Sequence, residues 1–357
     1  MPFHRIVIGV DFSTASLHAV RWVATRLAPG ATLFLVHVIP RPRVPTFLLA
    51  HTQGAWARAG EEPTLYPGLT GFADLAGASR AEVTVRYGQP ATELASLARE
   101  VEADLVCVGR SRKRRGTARF GATTPQRLLE RTSLSVLLVP GSASRARPTT
   151  LLAAVSDGVE APAVLRSAGA FAHTWDAQVD VLHAVDASIL TMTAAAPQTV
   201  EADWQLEPGA DGPAPDRLPD GEGIRQLTEA WLTRQSAEVP LLDGRTTTIA
   251  HIGDAAEAII GHAARSHPDL IVMGRRIEFS AIGKDDGCVG SATRLITWAA
   301  PCPVLVVASA DARTGPHRSL ALRRASRWED ARTNRSRLIG RSRDYGPLPP
   351  PGGDDAA

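Results

Sequence analysis

Cysteine, lysine and long apolar runs are all scarce in this chain of 357 residues. The three cysteines, Cys107, Cys288 and Cys302, are far apart, and neither a C-x-x-C pair nor a cluster with zinc-ligand spacing occurs. This pattern excludes a disulfide framework and a structural zinc site, and it fits a reducing compartment. Because no apolar run approaches the roughly 18 residues that a membrane span needs, we expect a soluble, cytoplasmic protein.

The charged residues are distributed unevenly along the chain. Only Lys113 and Lys284 are lysines, so almost all of the 39 basic side chains are arginines. Residues 1–147 carry 19 basic and 10 acidic side chains, residues 148–309 carry 10 and 21, and residues 310–357 carry 10 and 6. The first half is therefore basic and the second acidic, which favours contact between them.

The chain contains an internal repeat. The segment DLVCVGR at 104–110 recurs as DLIVMGR at 269–275, and SVLLV at 135–139 recurs as PVLVV at 303–307. Nearer the start of each copy, an offset of 146 pairs Asp11 with Asp157 and His37 with His183. We therefore predict two copies of one fold. The predicted units are a first domain at 1–141, a second at 148–309, and a largely disordered, arginine- and proline-rich tail at 310–357.

Short β-branched runs alternate with amphipathic stretches in each copy. In the first copy, IVIGV at 6–10 predicts a strand, residues 13–26 predict a helix, and a proline opens a helix predicted at 90–101. Strands separated by helices require right-handed crossovers, which produce a mostly parallel sheet covered on both faces. We therefore predict α/β architecture: two tandem, doubly wound, mostly parallel, five-stranded sandwiches. The proline-rich segment 187–223 does not follow this alternation and is expected to be mobile.

These features resemble the universal stress protein family, in tandem form, over about residues 4–140 and 150–308. The resemblance is carried by GSATRLITWAAPCPVLVV at 290–307, by IVIGVDFSTASLHAVRWV at 6–23, and by DLxxxGR, which occurs twice. It implies a doubly wound fold, of the kind also found in adenine nucleotide alpha hydrolases, that is often dimeric. It also implies that some members bind ATP whereas others bind no nucleotide.

The family's nucleotide-binding pattern is glycine, two residues, glycine, nine residues, and then glycine followed by serine or threonine. Such glycines let main-chain N–H groups approach phosphate oxygens, and the last pair opens a helix whose N-terminus attracts anions. In the first copy Gly109 matches, but Arg112 replaces the second glycine and Thr123 follows an alanine. The first copy therefore carries a degraded pattern.

The second copy departs from the pattern differently. Gly274, Gly290 and Ser291 match, whereas Ile277 replaces the middle glycine and the loop is three residues longer. Because Gly290 and Ser291 are the best-preserved pair, we expect any phosphate to bind there before it binds the first copy.

The resemblance also implies a nucleoside contact at the ends of the first two strands of each copy. Asp11 and Asp157 match the acidic residue that ends strand one, and Val38 and Ala184 match the main chain that faces adenine. A carboxylate at the C-terminal end of a strand lies where open α/β sheets bind ligands. The alternative is that each aspartate only caps the following helix.

Five basic groups in RSRKRRG at 110–116 occupy the position of a phosphate loop. Either the arginines replace the missing main-chain contacts to phosphate, or the run is a solvated loop without a ligand. Nucleic-acid binding is disfavoured because no aromatic residues interleave with the run and because the second half is acidic.

No catalytic constellation accompanies these features. His37 and His183 lack a nucleophile at matching spacing and are expected to be hydrogen-bonded structural residues. We therefore expect a non-enzymatic, cytoplasmic stress-response protein that binds ATP or another adenine nucleotide and regulates an unidentified protein partner. The alternative is a nucleotide-independent dimerisation or scaffold protein. In either case we expect a homo-oligomer or an intramolecular pseudo-dimer, in which the two halves pair through their final strands.

Overall fold

The computed structural model of the chain describes residues 3–40, 65–78, 80–111, 123–143, 147–190, 220–275, 277–278 and 288–308. All of them belong to one compact unit, residues 1–309. Four predictions lie wholly or largely outside the described residues: the disorder of the tail, the role of Arg112, the role of the basic run 110–116 beyond residue 111, and the mobility of most of the segment 187–223.

The first copy alternates strands and helices as its sequence pattern predicts. Ser13 precedes the first helix, and its hydroxyl accepts a hydrogen bond from the Ser16 N–H at 3.2 Å, which satisfies one of the free donors of the first turn. A π-helical turn, Val23–Leu27, extends that helix. The elements are β1 (Arg5–Val10), α1 (Thr14–Trp22), β2 (Thr32–Ile39), α2 (Leu65–Ala76), β3 (Glu82–Tyr87), α3 (Pro90–Glu100), β4 (Leu105–Arg110), α4 (Thr124–Arg131) and β5 (Ser135–Pro140).

The second copy repeats this order and adds a short antiparallel pair of strands that the sequence pattern did not predict. Its elements are β6 (Thr150–Ala154), α5 (Ala161–Trp175), β7 (Gln178–Val185), α6 (Gly221–Ala237), a 3₁₀ turn (Pro240–Leu242), β8 (Thr246–Ile252), α7 (Ala255–Ser266), β9 (Leu270–Gly274), β10 (Ile277–Glu278), β11 (Cys288–Val289), α8 (Ser291–Ala299) and β12 (Val304–Val307).

Ten of these strands form one sheet in the order β3-β2-β1-β4-β5-β12-β9-β6-β7-β8. Within each half all neighbouring strands are parallel. Each half begins with the central one of its five strands, adds two strands on one side, and then adds the remaining two on the other side. The direction reverses between β1 and β4 and again between β6 and β9. The predicted doubly wound, mostly parallel fold is confirmed.

The two halves join through an antiparallel pair formed by their final strands. Val136, Leu137 and Leu138 of β5 lie opposite Val306, Leu305 and Val304 of β12, and all six side chains are buried. An unpaired apolar edge would invite association with another chain, and pairing β5 with β12 removes both edges. The predicted junction between the final strands is confirmed.

The apolar core crosses this junction on both faces of the sheet. Each of the two core clusters contains buried residues from both halves. On one face, Trp22 of α1 meets Trp175 of α5 edge to face at 6.1 Å between ring centroids, and Phe3 lies 6.1 Å from Phe171. The contact between the halves therefore has the composition of a domain core rather than that of a polar domain interface.

Two of the three cysteines, Cys107 and Cys302, behave as small apolar side chains. Cys107 lies in β4 and Cys302 just before β12, and both are buried. Burial raises the pKa of both thiols, that of Cys302 to about 12, so neither forms a reactive thiolate at neutral pH.

Among the described residues, no helix combines the length and the apolarity that crossing a membrane requires.

Candidate functional site

A cleft of about 130 Å³ opens in the first domain at the C-terminal ends of β1, β2 and β4. These strands flank the point where the chain reverses direction across the sheet, and open α/β sheets bind ligands at that point. The first turns of α3 and α4 close the cleft on the other side. Its lining consists of Gly9, Val10, Asp11, Val36, Val38, Pro90, Leu94, Val108, Gly109, Thr124 and Pro125.

Asp11 supplies the carboxylate of the cleft. Its Oδ1 accepts hydrogen bonds from the Ser13 N–H at 3.0 Å and from the Ser13 hydroxyl at 2.5 Å. Partial burial acts to raise the pKa of Asp11, but hydrogen bonds from Ser13 and Ser16 outweigh it, so the pKa lies below its usual value. The side chain is exposed and ionised at neutral pH. Ser13, rather than Asp11, caps α1, which leaves Asp11 available at the mouth of the cleft.

Gly109 ends the β4 side of the cleft, and close packing requires a glycine there. A Cβ atom at this position would lie 2.5 Å from the main-chain carbon of Ala15 and 2.5 Å from the nitrogen of Ser16. The end of β4 therefore approaches the start of α1 more closely than any side chain allows. This packing accounts for Gly109 without a ligand, while its main chain still lines the cleft.

The wall beside β2 is apolar. Val36 is fully buried and Val38 is half-buried, and both point towards the face of the sheet that α3 covers. Leu94 of α3 and Val108 of β4 complete an apolar surface between the strands and the helix. Such a surface suits a flat, uncharged group such as a nucleobase.

Helix α4 begins at the opposite side of the cleft. Thr123 precedes its first residue and is exposed, and its N–H donates to Oε1 of Gln126 at 3.0 Å. Thr124 and Pro125, the first two helical residues, line the cleft. The positive end of this helix therefore faces the cleft, as the family pattern implies for the residues that follow the last glycine.

Asp157 does not occupy the position equivalent to Asp11. Asp104 accepts hydrogen bonds from the N–H groups of His4 and Arg5, whereas its counterpart Asp269 accepts them from Thr149 and Thr150. The first strands of the two copies therefore correspond at an offset of 145, not 146.

At that offset Ser156 takes the place of Asp11. The Ser156 hydroxyl accepts a hydrogen bond from the Gly158 N–H at 3.4 Å, as Asp11 does from Ser13. The predicted pairing of Asp11 with Asp157 is wrong by one residue. The sequence alone does not reveal this error, because the first strands and the second strands of the two copies correspond at different offsets. The histidines of β2 and β7 do correspond at an offset of 146.

Those histidines have matching structural roles. Nδ1 of His37 lies 2.8 Å from the carbonyl oxygen of Val10, and Nδ1 of His183 lies 2.8 Å from that of Val155. Each imidazole fixes the end of the neighbouring strand, which is the structural role that the sequence predicts for both.

The second domain presents larger side chains where the first has its cleft. Strand pairing aligns Gly9 with Ala154, Val36 with Leu182, and Val108 with Met273. Leu182 and Met273 are both buried, so the added atoms lie inside the domain. Ala184, the counterpart of Val38, is half-buried and is smaller.

Of the two glycines predicted to bind phosphate in the second domain, Gly274 has a close packing contact. A Cβ atom at Gly274 would lie 2.7 Å from Cβ of Glu160, at the start of α5, just as Gly109 lies against α1. Gly290 is buried and precedes the first residue of α8, and Ser291 is exposed at the start of that helix. These two residues thus stand at a helix N-terminus, as the sequence predicts.

Of the predicted site residues, Asp11, Val38 and Gly109 line the cleft together, and Thr123 directly precedes the lining residue Thr124. Sequence reasoning missed the apolar lining and the start of α3. The proline that opens α3 and the reversal of strand order could have indicated that this helix closes the site. Among the described residues, no group of three or more histidine, cysteine, aspartate or glutamate side chains is arranged to hold a metal ion.

Comparisons with known proteins agree with this architecture. The model of the Universal stress protein family matches residues 2–140 and again residues 149–308. A universal stress protein from Archaeoglobus fulgidus DSM 4304 is 15% identical and has a TM-score of 0.55, with 85% of this chain and 97% of that chain covered. A protein of unknown function from Pseudomonas aeruginosa PAO1 is 13% identical with a TM-score of 0.51, covering 87% of this chain and 94% of its own.

A universal stress protein in complex with cAMP is 25% identical over 39% of this chain and 98% of its own, with a TM-score of 0.28. No match was found among curated proteins. Because the family model matches both halves of the chain, and the two structures with the higher TM-scores share the fold, the chain belongs to the universal stress protein family, with two family domains in tandem.

Proposed function

We propose that this protein is a non-enzymatic, cytoplasmic stress-response regulator that binds one adenine nucleotide per chain, in the cleft of its first domain. The observation that carries the proposal is the cleft itself, because Asp11, Val38 and Gly109 all line it at the reversal point of the sheet. These are three of the positions at which the family resemblance implies nucleotide contacts.

The chemistry of the cleft suits the parts of a nucleotide. The apolar wall of Val36, Val38 and Leu94 accepts a base, and the ionised carboxylate of Asp11 accepts hydrogen bonds from ribose hydroxyls. The N-terminus of α4, beginning at Thr124, attracts phosphate. The family resemblance implies that the main chain of Val38, which lines the cleft, faces the base.

The first domain is favoured over the expectation that Gly290 and Ser291 bind phosphate first. Leu182 and Met273 add volume where the first domain has valines, and Ser156 supplies no charge where the first domain has Asp11. In this proposal the second domain is a permanent structural partner. The β5–β12 pairing then makes the chain an intramolecular pseudo-dimer, and regulation of a protein partner is its output.

Calorimetric titration with ATP tests the proposal. The wild-type protein should bind about one equivalent. Changing Val36→Leu together with Val108→Met gives the first domain the residues found in the second, so the fold should tolerate them while the cleft fills, and binding should weaken by at least ~10-fold. The control is Ser156→Ala, at the equivalent of Asp11, which should leave the affinity unchanged. Two equivalents, or an unaffected double variant, would contradict the proposal.

A nucleotide-independent scaffold is the second candidate. It is favoured by the packing of Gly109 and Gly274, which accounts for both glycines without a ligand, and by the continuous core between the halves. Protein purified without added nucleotide separates the two candidates: denaturation should release adenine nucleotide if the first holds. If none is released and none binds on titration, the scaffold is the function that remains.

A further inference from the structure

The arginine that ends each copy of DLxxxGR reaches into the other domain. The guanidinium of Arg110 is buried and donates hydrogen bonds to the carbonyl oxygens of Trp298 and Ala300, and its NH2 lies 3.5 Å from that of Cys302. Ala300 is the C-terminal capping residue of α8, in the second domain. Arg110 thus holds the C-terminal end of the last helix of the opposite half.

Arg275 makes the reciprocal contact. Its buried guanidinium donates to the carbonyl oxygen of Leu129 at 3.1 Å and to that of Thr132. Thr132 is the C-terminal capping residue of α4, in the first domain. Arg110 and Arg275, called here the interdomain arginines, therefore form two equivalent contacts across the junction.

The chemistry of a helix end explains why arginine occupies both positions. The last carbonyl groups of a helix have no partner within the helix and carry partial negative charge. A guanidinium brings a positive charge and several N–H donors in a fixed geometry, so one side chain satisfies two carbonyls at once.

Each interdomain arginine is connected to an element that lines the cleft. Arg110 directly follows Gly109, whose main chain lines the cleft on the β4 side. Arg275 holds the C-terminal end of α4, and the N-terminal residues of that same helix, Thr124 and Pro125, line the cleft on the other side. Two elements that border the cleft are therefore each tied to the second domain.

We propose that the interdomain arginines are positioning residues that couple the ligand cleft of the first domain to the second domain. Arg275, which does not line the cleft, sets the position of α4 from outside the first domain, and Arg110 transmits changes at the end of β4 to α8. Ligand binding in the first domain then changes the position of α8 in the second. The identity of the ligand rests on the proposed function, whereas the structural link between the two domains does not.

Amide hydrogen exchange tests the link without any ligand. The Arg127 N–H bonds to the Thr123 carbonyl oxygen at 3.0 Å, at the cleft end of α4. In full-length Arg275→Gln, exchange at Arg127 should accelerate about tenfold, because the C-terminal end of the helix, up to about one and a half turns away, loses its anchor. Acceleration confined to Leu129–Thr132, with Arg127 unchanged, would show only local fraying and would overturn the coupling.

Titration with ATP tests the consequence for binding. Arg275→Gln should weaken affinity about fivefold or more, within the usual range for coupled sites, and Arg275→Lys should restore part of it by keeping the charge. The control is Arg245→Gln, which breaks an ion pair with Asp176 inside the second domain and should leave affinity unchanged. Equal affinity in wild type and Arg275→Gln would overturn the coupling. A wild type that binds no ATP would refute the proposed function instead, and the exchange experiment would then decide the coupling alone.

Discussion

The indole N–H of Trp175, in the second domain, donates a hydrogen bond to the main-chain carbonyl of Arg26, in the first, at 3.1 Å. The same indole stacks on Phe171 at 4.9 Å between ring centroids and is 5% exposed. One side chain thus joins a polar contact across the junction to the apolar core beneath it. The junction is therefore specified by directional contacts as well as by buried area.

Replacing Trp175 separates these two contributions. Trp175→Phe keeps a ring on Phe171 but loses the hydrogen bond, and should lower the free energy of unfolding by about 1 kcal/mol. Trp175→Ala also leaves a cavity between the halves and should cost about 3–5 kcal/mol. Urea denaturation measures both. Equal losses for the two variants would mean that the hydrogen bond, not the packing, dominates.

The two halves should depend on each other for folding. Residues 1–143 and 147–309, expressed separately, each expose an apolar final strand and half of a shared core. We expect each fragment to aggregate or to be poorly folded alone, and the two to form a complex when co-expressed. Analytical ultracentrifugation would report a 1:1 complex. Two stable, monomeric fragments that do not bind each other would contradict the interpretation that the halves share one core.

Gly109 should be intolerant of any side chain. Because a Cβ would lie 2.5 Å from main-chain atoms of Ala15 and Ser16, Gly109→Ala must push β4 away from α1 and should cost about 1–3 kcal/mol. Gly71, in α2, has no atom within 4 Å of a built Cβ, so Gly71→Ala should add about 0.5–1 kcal/mol through helix propensity. Thermal denaturation compares them. If Gly109→Ala and Gly71→Ala changed the melting temperature in the same way, close packing would not explain why residue 109 is a glycine.

The sequence predicted most of the architecture because its signals are local. The helix predicted at 90–101 is observed as α3, Pro90–Glu100, because a proline in its first turn marks its start. The β5–β12 junction followed from the presence of two apolar final strands. These predictions needed only periodicity, capping residues and the rule that exposed edges pair.

Features that depend on register between distant segments were not predictable. The equivalence of Ser156 with Asp11 became visible only through the hydrogen bonds of Asp104 and Asp269. Likewise, the larger Leu182 and Met273 mark the second domain as different only after the strands are aligned. The role of Arg110 and Arg275 was hidden because their partners are main-chain carbonyls, which leave no trace in a sequence.

The pKa of Asp11 should depend on Ser13. Because hydrogen bonds from Ser13 hold that pKa below its usual 3.8, Ser13→Ala should raise it, and NMR titration of the carboxyl carbon would show the change. A carboxyl with a lowered pKa in the folded state stabilises the fold above pH 3.8, and that contribution is lost as the pH falls further. Ser156→Ala, in the other domain, is the control and should leave the pKa of Asp11 unchanged.

The pair formed by His262 and Asp180 should be replaceable by apolar residues. Nε2 of His262 lies 2.7 Å from Oδ2 of Asp180, and the two side chains are 16% and 19% exposed. The equivalent positions of the first domain hold Phe34 and Leu97, both buried in the core. The polar pair is therefore a local substitution within an otherwise apolar layer of the same fold.

Breaking the pair and replacing it should have different effects. His262→Leu alone leaves the Asp180 carboxylate half-buried without its partner and should lower the free energy of unfolding by about 1–3 kcal/mol. Adding Asp180→Phe removes that carboxylate and gives the second domain the apolar pair that the first domain has at these positions. The double variant should therefore recover most of the lost stability. Urea denaturation of the two single variants and the double variant gives the coupling energy directly. If the stability losses of the two single variants simply added up in the double variant, the coupling energy would be zero. Each residue would then contribute through its other neighbours and not through the contact between them.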